Sequence, residues 1–229
     1  EDEILEDFPV LVRLSTAIEG FSYSDFKLPG GGDMLFVGRR GEALPFEIDS
    51  WNENGESLVW VSVPELKRGT AVRMYYGGGA NPAGVKRAKW PGYAGVWHLG
   101  EDAGDGRDST ANGLDAVAVL NRAQAGDMAA VADGAVGKGR VNQDSTSFYS
   151  YDYENYGKDP EVRAKSRRCF MRVDDYSSLA VGSKFTFSGW FRTVGGTEHG
   201  EYLVCRTATG DSWGWNIRRC ASQGTQDAQ

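Results

Sequence analysis

Between positions 101 and 112 the chain concentrates side-chain oxygen, with Glu101, Asp102, Asp105, Asp108, Ser109, Thr110 and Asn112 in one short loop. Ca²⁺ takes about six to eight hard oxygens from carboxylates, amides and backbone carbonyls. Asp108, Ser109 and Asn112, with the backbone at Gly113, offer that chemistry in a compact turn, and Asp102 and Asp105 are secondary candidates. Calcium is therefore the candidate cofactor. The competing reading is local: Asp, Ser and Asn also close turns by bonding their own backbone. Residue types favour that turn, because no ligand from a distant loop is identifiable.

Other chemistry is less well supplied. Glu47-Ile48-Asp49 resembles the start of a laminarinase-type catalytic signature. Retaining glycosidases need two carboxyl groups about 5–5.5 Å apart, and the signature's second Glu falls four or five residues on, where this chain has Trp51 and Asn52. The catalytic reading fails on that spacing, and no catalytic residue is assigned. His98 lies in the apolar run 93–99, and no Cys or Ser is linked to it by motif, so a structural histidine is expected. Cys169, Cys205 and Cys220 lack the spacing of a zinc site. Neither a phosphate-binding glycine loop nor a nucleophile elbow is present. Tyr149, Tyr151 and Tyr153 alternate, so an extended strand would line them on one face, able to stack on a glycan or peptide. A strand packed on a core has the same pattern, and that reading is favoured.

These residues have to be positioned by strands. The 31 glycines and the 12% aromatic content, in short alternating runs, point to an all-β chain with many turns. Runs at 8–14 (FPVLVRL), 34–37, 44–51, 58–63 and 71–76 are separated by turn residues, and only 21–26 hints at helix. Residues 77–91 (GGGANPAGVKRAKWP) read as a connector. Beyond it, strands are expected at 94–99, 114–120, 169–173, 185–193, 202–207 and 213–219. The reading is two antiparallel β-sandwich modules, 1–80 and 93–229, joined by a linker at 81–92. Asp and Glu outnumber Lys and Arg by 32 to 25, so a nucleic-acid partner is not expected. No apolar run of the roughly 18 residues that span a membrane occurs. The chain opens at Glu1, as a processed product would, and the compartment is not legible from that start.

The blocks FPVLVRL, GGDMLFV, LPFEIDSW, VWVSVP and MYYGG, over residues 7–80, resemble a bacterial domain of unknown function. That domain precedes laminin-G-like modules and in some polypeptides accompanies a MotA/TolQ/ExbB-type proton-channel segment. VWHLGED, DSTANGLDA, FTFSGWFR and YLVCRTATGDSWGWNIR resemble a laminin-G-like, concanavalin A-type jelly roll over most of residues 94–220. Related jelly rolls carry D-S-x-G-N-G where this chain has DSTANG, with Ala111 replacing a glycine. The family continues with further strands beyond the position of Ile217, so the jelly roll reads as truncated, and its exposed sheet edges invite assembly with another chain. The resemblance implies a periplasmic or extracellular module of the bacterial envelope that binds glycan or protein without catalysis. Its alternatives are a structural spacer in a proton-channel-associated protein and, disfavoured by the missing carboxylate, a concanavalin A-like glycoside hydrolase.

Overall fold

The computed structural model describes residues 3–79, 90–121, 130–131, 134–141, 168–174, 179, 184–192, 201–207 and 213–219. The chain divides into two compact units, Glu1–Ser183 and Lys184–Gln229. It is all-β: small antiparallel sheets, with described helix confined to two single turns of 3-10 at Tyr23–Asp25 and Pro29–Gly31. No helix among the described residues is long and apolar enough to cross a membrane.

In the first unit, strands β1 (Leu5–Leu14), β4 (Phe46–Ser50) and β5 (Ser57–Leu66) form one sheet in the order β1-β5-β4. Period-two alternation sends Val59, Val61 and Val63 of β5 into the core and leaves Trp60 on the other face. Register aligns Val10 and Phe46 with Val61 on either side, and Val12 and Ile48 with Val59, so one apolar face is continuous across three strands. Pro9 pairs with Ser62. A residue without an N–H is tolerated there because β1 ends the sheet.

A second sheet, β3 (Ala43–Leu44), β2 (Leu35–Val37) and β6 (Arg73–Tyr75), has the order β3-β2-β6. Its Phe36 and Leu44 join Leu14, Met34, Val59, Val61 and Val63 in one buried cluster. Burial of each large side chain contributes about 1.5–3 kcal/mol. The run expected as a single strand at 44–51 is two, because Pro45 stands between β3 and β4 and each joins a different sheet.

The turn at Tyr23–Asp25 falls inside the stretch with a helical hint, and a phenol anchors it. The Tyr23 hydroxyl donates to the Leu14 carbonyl at 2.7 Å and accepts from the Ser57 N–H at 3.1 Å, with the Ser57 hydroxyl 2.9 Å away. Phe21 and Trp51 pack edge to face on its ring with centroids 5.0 and 5.3 Å away, and beyond them Phe26 and Tyr76 stack at 4.7 Å. Gly31, at φ +75°, lies so close under Trp51 that a Cβ there would stand 2.6 Å from the indole.

The other described residues of the first unit add two short ladders. Strands β7 (Val117–Asn121) and β10 (Arg168–Arg172) pair antiparallel, as do β8 (Ala130–Val131) and β9 (Gly139–Arg140). The strand expected at 94–99 is instead a loop with one isolated bridge, Trp97 to Asp108, and Leu99 adopts φ +57°. A left-handed leucine cannot continue a pleat, so the alternation there is not a strand face.

In the second unit, β11 (Glu201–Thr207) and β12 (Trp213–Arg219) form an antiparallel hairpin with two register shifts. Of the strand expected at 185–193, the described residues 185–192 carry no assigned strand, and Trp190 is 80% exposed.

Tyr23→Phe removes a donor and an acceptor from a buried network and leaves the Leu14 carbonyl and the Ser57 N–H unsatisfied. The expected loss is about 1–3 kcal/mol, read as a lower denaturant midpoint with an unchanged slope.

Candidate functional site

Strand β4 alternates Phe46 and Ile48 into the core with Glu47 and Asp49 on the opposite face. Ile48 pairs with Val59 and Ser50 with Leu58, which makes Asp49 the extra residue of a bulge. Bulges re-aim side chains. Trp60, cross-strand from Glu47, shares that outer face, and its indole N–H donates to Asp49 Oδ2 at 3.3 Å.

The segment from Trp90 to Ala116 covers this face. Trp90 is buried, its ring centroid 5.6 Å from that of Trp60, and its indole N–H donates to Glu47 Oε2 at 3.0 Å. The Ser109 hydroxyl donates to Glu47 Oε1 at 2.7 Å. His98 enters between the two carboxylates, with Nε2 3.7 Å from Glu47 Oε2 and Nδ1 3.8 Å from Asp49 Oδ2. Its ring lies nearly parallel to that of Trp60, with centroids 6.0 Å apart, and tilted to that of Trp90 at 5.7 Å. The three ionisable side chains are each less than a quarter exposed.

Burial by itself would push the His98 pKa down. The adjacent Glu47 carboxylate, with the charges of Asp49 and Glu101, outweighs burial and holds it above the usual histidine value. Burial would likewise raise Glu47, but His98, Ser109 and Trp90 outweigh it and hold that carboxyl below its usual range. Both shifts favour the charged pair. The imidazole nitrogens face opposite carboxylates, so these groups do not converge on one point. Among the described residues no group of three or more His, Cys, Asp or Glu could hold a metal ion.

Asp108, Ser109 and Asn112 share one turn, where each has an internal duty. Asp108 Oδ1 accepts from the N–H of Val96 and of Thr110, and Oδ2 accepts from the Thr110 hydroxyl and the Leu114 N–H, at 2.7–3.0 Å. Burial opposes its ionisation, but these donors hold its pKa below the usual range. Ser109 is spent on Glu47, and the Asn112 amide donates to the Ala94 carbonyl at 2.9 Å. Asp105 accepts from the Ala118 N–H, and exposed Asp102 pairs with Lys138 at 2.6 Å. Glu101 lies 3.6 Å from Arg140, whose guanidinium also donates to the Glu101 and Gly104 carbonyls. Tyr149, Tyr151 and Tyr153 lie outside the described residues.

Sequence reasoning missed the grouping of Glu47, Asp49 and His98. It sought a partner for Glu47 a few residues along the same strand, whereas the partner comes from a loop beyond the connector. The available signal was the pattern of β4 itself, two carboxylates alternating with core residues and facing a tryptophan on the neighbouring strand.

Trp60 and Trp90 also form part of a shallow surface cleft with Asp7, Pro9, Pro91 and Tyr93. Tyr93 is 43% exposed, and Asp7 is exposed with a left-handed φ of 47° opposite Pro64, where the ladder has no N–H to offer. Compared with protein-family models, curated proteins and solved structures, the chain matches none.

Asp108→Ala withdraws four acceptor contacts from the turn. The expected destabilisation is about 3 kcal/mol, seen in thermal melts in EDTA as well as without it, because the donors are the protein's own.

Proposed function

We propose that the chain is a non-catalytic recognition module and that its first unit binds saccharide at the shallow cleft of Trp60, Pro91 and Tyr93. The observation that carries this reading is the cleft's chemistry: half-buried Trp60 beside prolyl surface, with the exposed Tyr93 phenol and the exposed Asp7 carboxylate at its edge. Sugar rings stack their C–H faces on such aromatic area, and a carboxylate takes their hydroxyl hydrogens. The resemblance of residues 7–80 and 94–220 to modules of bacterial envelope proteins supports the same reading. With it go the two-sandwich architecture, a jelly roll as the second sandwich and a periplasmic or extracellular location. As candidate ligand-binding residues, Tyr149, Tyr151 and Tyr153 belong to the same proposal.

A hydrolase is disfavoured by the state of the carboxylates. Both Glu47 oxygens accept hydrogens from side chains, and Asp49 takes the Trp60 indole. A retaining mechanism needs one carboxylate aimed at substrate and another able to exchange a proton with it.

A glycan array tests the reading. Binding is expected, with Tyr93→Ala weakening it about tenfold, or ~1.4 kcal/mol, at an unchanged melting temperature. An array without binding, or hydrolysis of a β-glucan by the purified chain, overturns it; capture of a protein ligand with no glycan bound moves the function to protein recognition.

Calcium in the 102–112 loop is a separate proposal with its own measurement. Millimolar calcium is expected to raise the melting temperature over EDTA, and Asp105→Asn to reduce that rise. Identical melts in the two solutions remove the ion from the account.

A further inference from the structure

His98 is placed where a neutral imidazole serves poorly. A neutral ring carries one N–H and one bare lone pair, whereas imidazolium carries two N–H groups. Here both ring nitrogens face carboxylate oxygens, Nε2 toward Glu47 and Nδ1 toward Asp49. Whichever tautomer forms, neutral His98 must turn a lone pair on an anion, at a site where Nε2 is buried without a hydrogen-bond partner. Groups packed around the ring do not offset this. Trp60 and Trp90 spend their indole N–H groups on Asp49 and Glu47, and Ser109 spends its hydrogen on Glu47. On His98's own loop Glu101 adds a third negative charge, with Arg140 3.6 Å from that carboxylate. The next residue, Leu99, holds a left-handed backbone that costs about 1–3 kcal/mol, so the loop has a reason to relax when its anchor weakens.

We propose that His98 is a protonation-operated latch: as imidazolium it bridges Glu47 and Asp49 and holds the segment bearing Trp90, His98 and Ser109 on the outer face of β4 and β5, and as imidazole it loosens that hold. The latch is independent of the saccharide reading, because its states differ in the ligand-free protein. Where that reading also holds, the latch reaches the cleft through Trp60 and Trp90.

The sign follows from the raised histidine. Its contribution is fully present below the unfolded value of 6.5 and is lost as pH rises through the folded value above it. Glu47, held low, adds stability above its unfolded value of 4.5 that is lost only as pH falls through the folded one. Melting of the wild type and of His98→Gln from pH 6 to pH 9 reads the latch, and His199, present in both chains, cancels in the difference. The wild type is expected to melt higher at pH 6, with its advantage shrinking by about 2–4 °C toward pH 9. A difference that is constant over this range overturns the proposal. Should His98→Gln fail to fold, NMR of the wild type decides. The His98 ring nitrogens and the indole N–H signals of Trp60 and Trp90, assigned through Trp60→Phe and Trp90→Phe, are expected to titrate with one midpoint above 6.5. A ring midpoint at or below 6.5, or indole signals that do not follow it, overturns the latch.

Discussion

Glu47 is a partly buried carboxylate on the face of β4 that the core does not use, and a charge in that position persists only when its oxygens are satisfied. Trp90 and Ser109 satisfy them, and His98 supplies the opposite charge. Ser109 and His98 come from the segment beyond the connector, and Trp90 from the connector's end. One anion thus fixes where that segment lies, which indoles flank the histidine, and where the aromatic cleft opens. Removing the anion would strand three groups that were buried against it.

The same device recurs at smaller scale. Asp108 gathers donors from Val96, Thr110 and Leu114, and the Tyr23 hydroxyl gathers Leu14 and Ser57. Regular ladders are short outside β1 and β5, and loop backbone buried without a ladder needs other acceptors. Side-chain oxygens take that role. A loop rich in Asp, Ser, Thr and Asn can for this reason close on its own backbone.

Much of the first unit was legible in its residues. Alternation marks β1 and β5, Pro9 marks a sheet end, and the turn residues separate the strands where the ladders end. The limits are equally physical. Pro45 splits an apparently continuous run because the residues on either side join different sheets. The run at 94–99 shows that alternation describes which way side chains would point in a strand, and a strand also needs a neighbour to take its hydrogen bonds. At 94–99 the left-handed backbone of Leu99 ends the pleat outright.

By itself the sequence determined the all-β character, the core faces of β1, β4 and β5, and the residue types available for chemistry, since these follow from local period and side-chain identity. Tertiary structure alone decided that Glu47 and Asp49 enclose His98, that Ser109 serves a carboxylate, and that Trp60 and Trp90 share one surface. Those contacts join positions far apart in the chain, and no local periodicity encodes which distant loop will satisfy a buried charge.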